Sequence, residues 1–147
     1  IRPTSRGEIN IISPDSRENP KIKMNYLSTE EDRKVAADGI RLVRKIVMES
    51  QEFKKFEPEE FRPGFHIQDS EDIVKACSHY AQTIFHPVGT CKMGNDDQAV
   101  VSDDLKVKGI DNLRVIDASI MPNITSGNTN APTIMIAEKG ADMILNG

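Results

Sequence analysis

The stretch KIKMNYLSTEEDRKVAADGIRLVRKIVM, residues 21–48, carries the clearest structural signal in this chain of 147 residues. Ile22, Met24 and Tyr26 alternate with polar residues, a pattern that predicts a strand over residues 21–27 with one face in water. Ser28 and Glu31 then stand at the spacing of a capping box. Behind them, apolar residues recur at helical intervals, at Val35, Ala36, Ile40, Val43, Ile46 and Val47. We therefore predict a strand followed directly by a helix that begins at Ser28 and ends near Met48.

The flanking segments complete the predicted fold. Residues 7–13 have strand composition and end in a turn signal, so we expect them to pair with residues 21–27 as a hairpin. Residues 69–80 predict a second helix, capped by Asp69 or Ser70. The resulting fold class is α+β, with a small antiparallel sheet covered by the two helices.

The rest of the sequence differs in character. The acidic run at residues 57–60 is most simply a solvated loop. Residues 85–132 are rich in Gly, Pro, Asn and Thr, which favours irregular structure. Residues 133–145 are largely apolar and predict a buried helix, with Pro132 in its first turn and Asn146-Gly147 as its stop.

The composition limits the classes of function. A hydrophobic content of 37% and a charged content of 29% fit one soluble domain of ordinary size. The 19 Lys and Arg against 23 Asp and Glu give a net charge of −4, which argues against nucleic acid as a partner. No apolar run is long enough to span a membrane and no signal-peptide pattern occurs, so the localisation stays open. Cys77 and Cys91 have no metal-ligand spacing, so we predict free thiols and no metal site.

Two regions carry residues that could take part in catalysis or in ligand binding. His86 stands on a loop constrained by Pro87 and Gly89, where an imidazole can act as an acid or a base, although a lone loop histidine is more often a bystander. Asn128 and Asn130 precede the last predicted helix. Asn130 can cap that helix, whose first N–H groups and positive dipole end make a site for negative charge.

Longer stretches around these residues resemble the C-terminal region of the glucose-methanol-choline (GMC) oxidoreductases, which are FAD-dependent alcohol dehydrogenases and oxidases. The matching motifs are residues 86–94 (HPVGTCKMG), 100–101 (VV), 113–122 (LRVIDASIMP) and 126–139 (SGNTNAPTIMIAEK), together with 2–7 (RPTSRG) and 25–28 (NYLS). The likeness covers nearly the whole chain. Within the family, the chain looks similar to the choline dehydrogenases or the FAD-linked glucose dehydrogenases.

The resemblance implies a catalytic pair and a set of flavin contacts. His86 matches the family's active-site histidine, which takes the proton of a substrate hydroxyl while hydride passes to N5 of the flavin. Asn128 matches the second active-site position, and because an amide cannot take a proton, it would donate a hydrogen bond to the substrate oxygen. The implied cofactor-binding residues are Asp117 and Ala118, beside the ribityl-phosphate part of FAD, and Asn130, Ala131 and Pro132, beside the pyrimidine end of the flavin.

The chain is expected to hold only part of such an enzyme. No two of its nine glycines stand two residues apart, so it lacks the GxGxxG turn of dinucleotide binding. The resemblance implies part of a substrate-binding (cap) domain over residues 1–112, including the His86 loop, and an FAD-contacting segment over residues 113–147. The last helix would pack on an N-terminal FAD-binding domain that this chain lacks. Because the chain opens on Ile1 rather than Met, we expect a piece of a longer protein that is inactive alone.

Several alternatives stay open at this point. The chain is either the C-terminal part of an alcohol-oxidising flavoenzyme or a stand-alone binding or assembly module without catalysis. The substrate can be a small alcohol or a sugar, and the electron acceptor a quinone or oxygen. A quaternary ammonium substrate would call for an aromatic cage and a carboxylate, and the chain has no Trp and only two Tyr, Tyr26 and Tyr80. Apolar surface left exposed on the last helix would favour self-association with a second copy.

Overall fold

The computed structural model describes residues 2–146. In chain order the elements are β1 (Glu8–Asn10), β2 (Lys21–Lys23), α1 (Glu30–Arg44), a π-helical turn (Lys45–Glu49), α2 (Gln51–Lys54), α3 (Ser70–Tyr80), a 3₁₀ helix (Ala118–Ile120) and α4 (Asn130–Leu145). They belong to two compact units: Thr4–Gln82, and a second unit that contains residues 83–146 with Arg2 and Pro3. The predicted α+β class with a small antiparallel sheet is confirmed. The sequence analysis divided the chain between residues 112 and 113 by expected contacts, with substrate before that point and with FAD after it. That division stays a prediction.

The sheet is a two-stranded antiparallel ribbon. Its paired residues are Glu8 with Lys23, Ile9 with Ile22, and Asn10 with Lys21. Every residue of both strands is exposed, and no described helix packs on the ribbon. The hairpin is confirmed, but the half-buried strands and the covering of the sheet by helices are wrong for the described residues. The reason is that α1 and α3 pack on each other, and a ribbon this short offers little apolar surface to compete with that contact.

The first long helix begins later than its sequence pattern predicts. The N-cap of α1 is Thr29, whose side chain accepts a hydrogen bond from the backbone N–H of Asp32 at 3.3 Å. The predicted capping box of Ser28 and Glu31 is therefore wrong. The backbone N–H of Ser28 donates instead to Oγ of Ser5 at 2.9 Å. Ser28 and Thr29 are both suited to cap a helix. The structure uses Thr29 as the cap, and Ser28 contacts the N-terminal segment.

The carboxylate of Asp32 ties the start of α1 to the N-terminal segment. Its oxygens accept hydrogen bonds from the backbone N–H groups of Thr4, at 2.8 Å, and Ser5, at 2.9 Å. Burial acts to raise the pKa of Asp32, but the hydrogen bonds from Ser5 and Thr4 outweigh it and lower the pKa from 3.8 to about 2. The fold therefore stabilises the charged form of this side chain.

We expect Asp32→Asn to lower the free energy of unfolding at neutral pH by on the order of 1 kcal/mol, a figure discounted for solvent screening. Because the folded-state pKa of about 2 lies below the unfolded value of 3.8, the contribution is complete above that value and disappears as the pH falls through about 2. Urea unfolding between neutral and acidic pH should show the parent and variant curves converging at the acid end. The control is Asp38→Asn on α1, where the side chain is 50% exposed. Equal losses in both variants would contradict the assignment.

The helices α1 and α3 form the interior of the first unit. The side chain of Asp69 accepts hydrogen bonds from the backbone N–H groups of Glu71 and Asp72, which confirms the predicted cap of α3. Ile73 is fully buried on the inner side of α3, and Ala37 of α1 is 2% exposed. These small and branched side chains allow the two helices to approach closely.

A charged residue lies on the buried face of α1. Arg44 is 8% exposed, and its guanidinium donates to both carboxylate oxygens of Glu60, at 2.9 and 3.1 Å, and to the carbonyl of Gly64 at 3.2 Å. Its Cζ lies 5.6 Å from the ring centroid of Phe65. The solvated loop predicted over residues 57–60 is therefore wrong at Glu60, because that carboxylate is paired with a residue of α1.

The second unit is organised around a small apolar core. Its buried members are Val101, Leu105, Ile120, Met121 and Ile136. As predicted, α4 has Pro132 in its first turn, and it ends at the C-cap Asn146. Gly147, the other half of the predicted stop, lies outside the described residues. Both cysteines carry free thiols.

One face of α4 is not covered by the described chain. Its exposed apolar side chains are Ile134, Met135, Ile144 and Leu145. The predicted burial of the whole helix is thus confirmed only for the side that carries Ile136 and Gly140. The helix can bury only one stripe against the small core of its own unit. Within residues 2–146, no helix has the length and hydropathy needed to cross a lipid bilayer.

Close packing of α4 requires a glycine at position 140. A Cβ atom there would lie 2.9 Å from Cδ1 of Ile116 and closer still to its Cγ2. We expect Gly140→Ala to lower the free energy of unfolding by about 1–3 kcal/mol, because overpacking outweighs the gain in helix propensity. Thermal and urea unfolding would measure the loss.

The matched control for this prediction is Gly39→Ala on α1, where nothing lies within 4 Å of the added Cβ. That substitution should stabilise the protein by about 0.5–1 kcal/mol, because alanine loses less backbone entropy in a helix than glycine. A Gly140→Ala variant as stable as Gly39→Ala would show that Ile116 moves aside without cost.

Candidate active site

The loop that carries His86 is attached to the 3₁₀ helix through its backbone. The N–H of Cys91 donates to the carbonyl of Ser119 at 3.0 Å, and the N–H of Met93 donates to the carbonyl of Ile120 at 2.7 Å. Ile120 is itself 3% exposed and belongs to the core of this unit. The histidine loop is therefore anchored on a 3₁₀ helix whose last residue, Ile120, is buried in the core.

The 3₁₀ helix also carries the first two predicted FAD contacts. Asp117 is its N-cap, and the Oδ1 atom accepts a hydrogen bond from the backbone N–H of Ser119 at 2.7 Å. Asp117 is exposed, whereas Ala118 is half-buried and packs against the core. Asp117 thus has a local structural role that exists whether or not a cofactor lies beside it.

The imidazole of His86 contacts the start of α4. Its Nδ1 lies 2.8 Å from Oγ1 of Thr129. His86 is half-buried, and Thr129 is 7% exposed. Asn128, the second predicted catalytic residue, immediately precedes Thr129 and is exposed. The structure therefore brings His86 and Asn128 to the same end of α4, although they are far apart in the sequence.

The other three predicted FAD contacts form the first turn of α4. Asn130 is the first helical residue, so its predicted role as the cap is wrong: the N-cap is Thr129, whose side chain makes no capping hydrogen bond. Asn130 and Ala131 are exposed, and Pro132 is half-buried. The N–H groups of a first helical turn have no acceptor within the helix, and this described turn contains no acidic side chain. The end of α4 therefore offers N–H donors and a positive dipole end to a negatively charged group.

Thr129 is the site residue that the sequence interpretation missed. A threonine directly before a helix is an N-cap signal, but the next residue, Asn130, carries the same signal, and the sequence interpretation assigned the cap to Asn130. The contact with His86 has no local signature, since it joins two distant segments. Within residues 2–146, no cluster of three or more His, Cys, Asp or Glu side chains could hold a metal ion.

A family model described as GMC oxidoreductase matches residues 3–137. The chain therefore belongs to the GMC oxidoreductase family, as its motifs predicted.

Known relatives extend this assignment. Over 144 residues the chain is 49% identical to an oxygen-dependent choline dehydrogenase of Pseudomonas fluorescens (strain Pf0-1), a match that covers 98% of this chain and 25% of the relative. It is similar to the crystal structure of pyridoxine 4-oxidase from Mesorbium loti, with 35% identity, a TM-score of 0.86, and coverage of 95% of this chain and 27% of the other. An FAD-dependent oxidoreductase from Chaetomium thermophilum matches with 30% identity, a TM-score of 0.90, and coverage of 98% and 25%. The chain thus spans about a quarter of the length of these proteins.

Proposed function

We propose that this chain is the catalytic C-terminal part of an FAD-dependent enzyme that oxidises a small alcohol to a carbonyl compound. The observation that carries the proposal is the contact between His86 and Thr129, which holds an imidazole at the exposed start of α4 beside Asn128. Membership of the GMC oxidoreductase family supports the reaction class. The FAD-dependent relative from Chaetomium thermophilum supports the cofactor.

His86 takes the proton of the substrate hydroxyl at a ring nitrogen. A neutral imidazole is suited to this step because one of its two ring nitrogens carries no proton and can accept one. The side-chain amide of Asn128 has no site for that proton, so it donates a hydrogen bond from Nδ2 to the substrate oxygen. Together the two side chains orient the hydroxyl and stabilise the negative charge that grows on its oxygen.

The first turn of α4 fits a flavin that becomes negatively charged. FAD, when bound, accepts the hydride that leaves the alcohol carbon. The N–H donors at Asn130 and Ala131 and the positive helix end favour added negative charge on such a group without reorganisation. Pro132 lowers the number of N–H groups in this turn but keeps its shape. Asp117 and Ala118 would help to hold the ribityl-phosphate part of the cofactor.

The exposed apolar face of α4 packs against the FAD-binding part of the full-length protein. Ile134, Met135, Ile144 and Leu145 supply that face, and uncovered apolar patches of this kind mark contact surfaces. Residues 1–112 then contribute to the substrate side and residues 113–147 to the cofactor side. The chain alone is expected to be inactive, since it has no glycine-rich dinucleotide turn. In the absence of the FAD-binding part, the same face can associate with a second copy.

The test uses the full-length protein, purified with FAD and mixed without oxygen with a panel of alcohols. Choline and pyridoxine belong in the panel because two relatives bear those names, and glucose and simple aliphatic and aromatic alcohols complete it. Bleaching of the flavin absorbance by one alcohol supports the proposal, and re-oxidation by oxygen or by a quinone then identifies the acceptor. A full-length protein that binds no flavin would refute it and favour a non-catalytic binding or assembly module.

A further inference from the structure

The hydroxyl of Thr129 does not cap α4, although Thr129 is the N-cap residue of that helix. Thr129 is the N-cap of α4, where a side-chain oxygen ordinarily accepts an N–H of the first turn, but no such hydrogen bond is present. The backbone carbonyl of Thr129, by contrast, accepts the N–H of Thr133 at 3.0 Å and the Thr133 hydroxyl at 2.6 Å. The backbone of Thr129 is therefore fixed by the helix while its side chain has a different partner.

That partner is the Nδ1 atom of His86, at 2.8 Å. Because Thr129 is 7% exposed, water cannot readily replace the imidazole as a partner for the hydroxyl. A hydroxyl oxygen can accept the N–H of Nδ1 when the ring is neutral, and it can do so when the ring is protonated, since both nitrogens are then donors. One hydrogen bond can thus persist through a complete cycle of proton uptake and release.

We propose that Thr129 is the positioning residue for proton transfer by His86, an inference that rests on the function proposed above. By accepting the N–H of Nδ1, it fixes the plane of the ring and leaves Nε2 without a proton. The O–H bond of the substrate breaks, an N–H bond forms at Nε2, and the hydrogen bond to Thr129 stays in place. Because the Thr129 hydroxyl bonds to His86, it makes no capping hydrogen bond to the first turn of α4.

The experiment compares Thr129→Val and Thr129→Ser in the full-length protein with FAD bound. Valine removes the hydroxyl with little change in volume, and serine keeps the hydroxyl. For Thr129→Val we expect the limiting rate of flavin reduction to fall roughly ten- to a hundredfold, because a misplaced base is a poor one. The substrate concentration at half-maximal rate should change by less than about twofold, and serine should restore most of the rate.

A second readout is independent of turnover. Exchange of the C2 hydrogen of the His86 ring, followed by mass spectrometry at one fixed pH, reports the surroundings of that residue alone. Thr129→Val should change the exchange rate, because Nδ1 loses the hydroxyl that lies 2.8 Å away, and Thr129→Ser should keep the parent rate.

The inference is overturned if Thr129→Val reduces flavin at the parent rate. It is also overturned if Thr129→Val loses FAD or thermal stability while the rate per bound FAD stays the same, since the hydroxyl would then be structural. An active His86→Ala variant would refute both the proposed function and this inference. An inactive His86→Ala beside a fully active Thr129→Val would overturn the role of Thr129 alone.

Discussion

His86→Ala is expected to slow alcohol-dependent reduction of the flavin in the full-length protein by roughly 10²–10⁴-fold, the usual contribution of a positioned general base. Alanine removes the ring that takes the hydroxyl proton, so hydride must leave an alcohol that is still protonated. The loss corresponds to about 3–5 kcal/mol of transition-state stabilisation. Anaerobic rapid mixing, with the flavin absorbance followed at saturating alcohol, measures this rate directly.

The matched control is His79→Ala, which removes an exposed histidine on α3. That variant should reduce its flavin at the parent rate. FAD occupancy must be measured in both variants, because a vacant site would mimic a catalytic defect. A His86→Ala protein with full FAD occupancy and an unchanged rate would remove His86 from the mechanism.

Local signals in the sequence were enough to predict the three long helices α1, α3 and α4, but not the short helix α2 or the 3₁₀ helix. Asp69 precedes an amphipathic run and caps α3 as expected, because an N-cap acts through the backbone of the next three residues. Pro132 lies in the first turn of α4, where its missing N–H costs nothing. Both signals are short-range, since each acts within the first turn of its own helix.

Local signals could not decide which of two adjacent residues of similar chemistry caps a helix. Ser28 and Thr29 are both good caps, and so are Thr129 and Asn130. In each pair the structure uses the threonine as the N-cap residue. At α1 the choice goes with the contact between Ser28 and Ser5, which no sequence window contains. A prediction from spacing alone is therefore good to about one residue at such helix ends.

The candidate site, too, was predicted only in part. The resemblance to the family singled out His86 and Asn128, and the structure brings them to one end of α4. It could not single out Thr129, because the reason for its importance is a side chain on another segment. For Ile9 and Ile22 the prediction was only half right: both lie in paired strands as expected, but both are exposed, because the described chain provides no surface to cover them.

The second large effect is expected at the buried ion pair of the first unit. Arg44→Met should lower the free energy of unfolding by about 3–5 kcal/mol, because it leaves the carboxylate of Glu60 buried without its partner. Arg44 and Glu60 have side chains only 8% and 13% exposed, so water cannot replace the lost hydrogen bonds. The loss also removes the donor to the carbonyl of Gly64. Urea unfolding of the parent and the variant measures the difference.

Two further variants separate the lost charge pairing from the lost side-chain volume. Lys34→Met, on the same helix, breaks an ion pair with Asp38 whose side chains are 76% and 50% exposed, and its cost should stay within about 0.5 kcal/mol. The double variant Arg44→Met with Glu60→Leu should recover most of the stability, since no unpaired charge is then buried. One N–H nitrogen of Arg44, Nη1, is already buried without a hydrogen-bond partner, which makes an apolar pair a still better substitute. If the double variant were as unstable as Arg44→Met, packing around the guanidinium, including its contact with Phe65, would account for the loss instead of the charge.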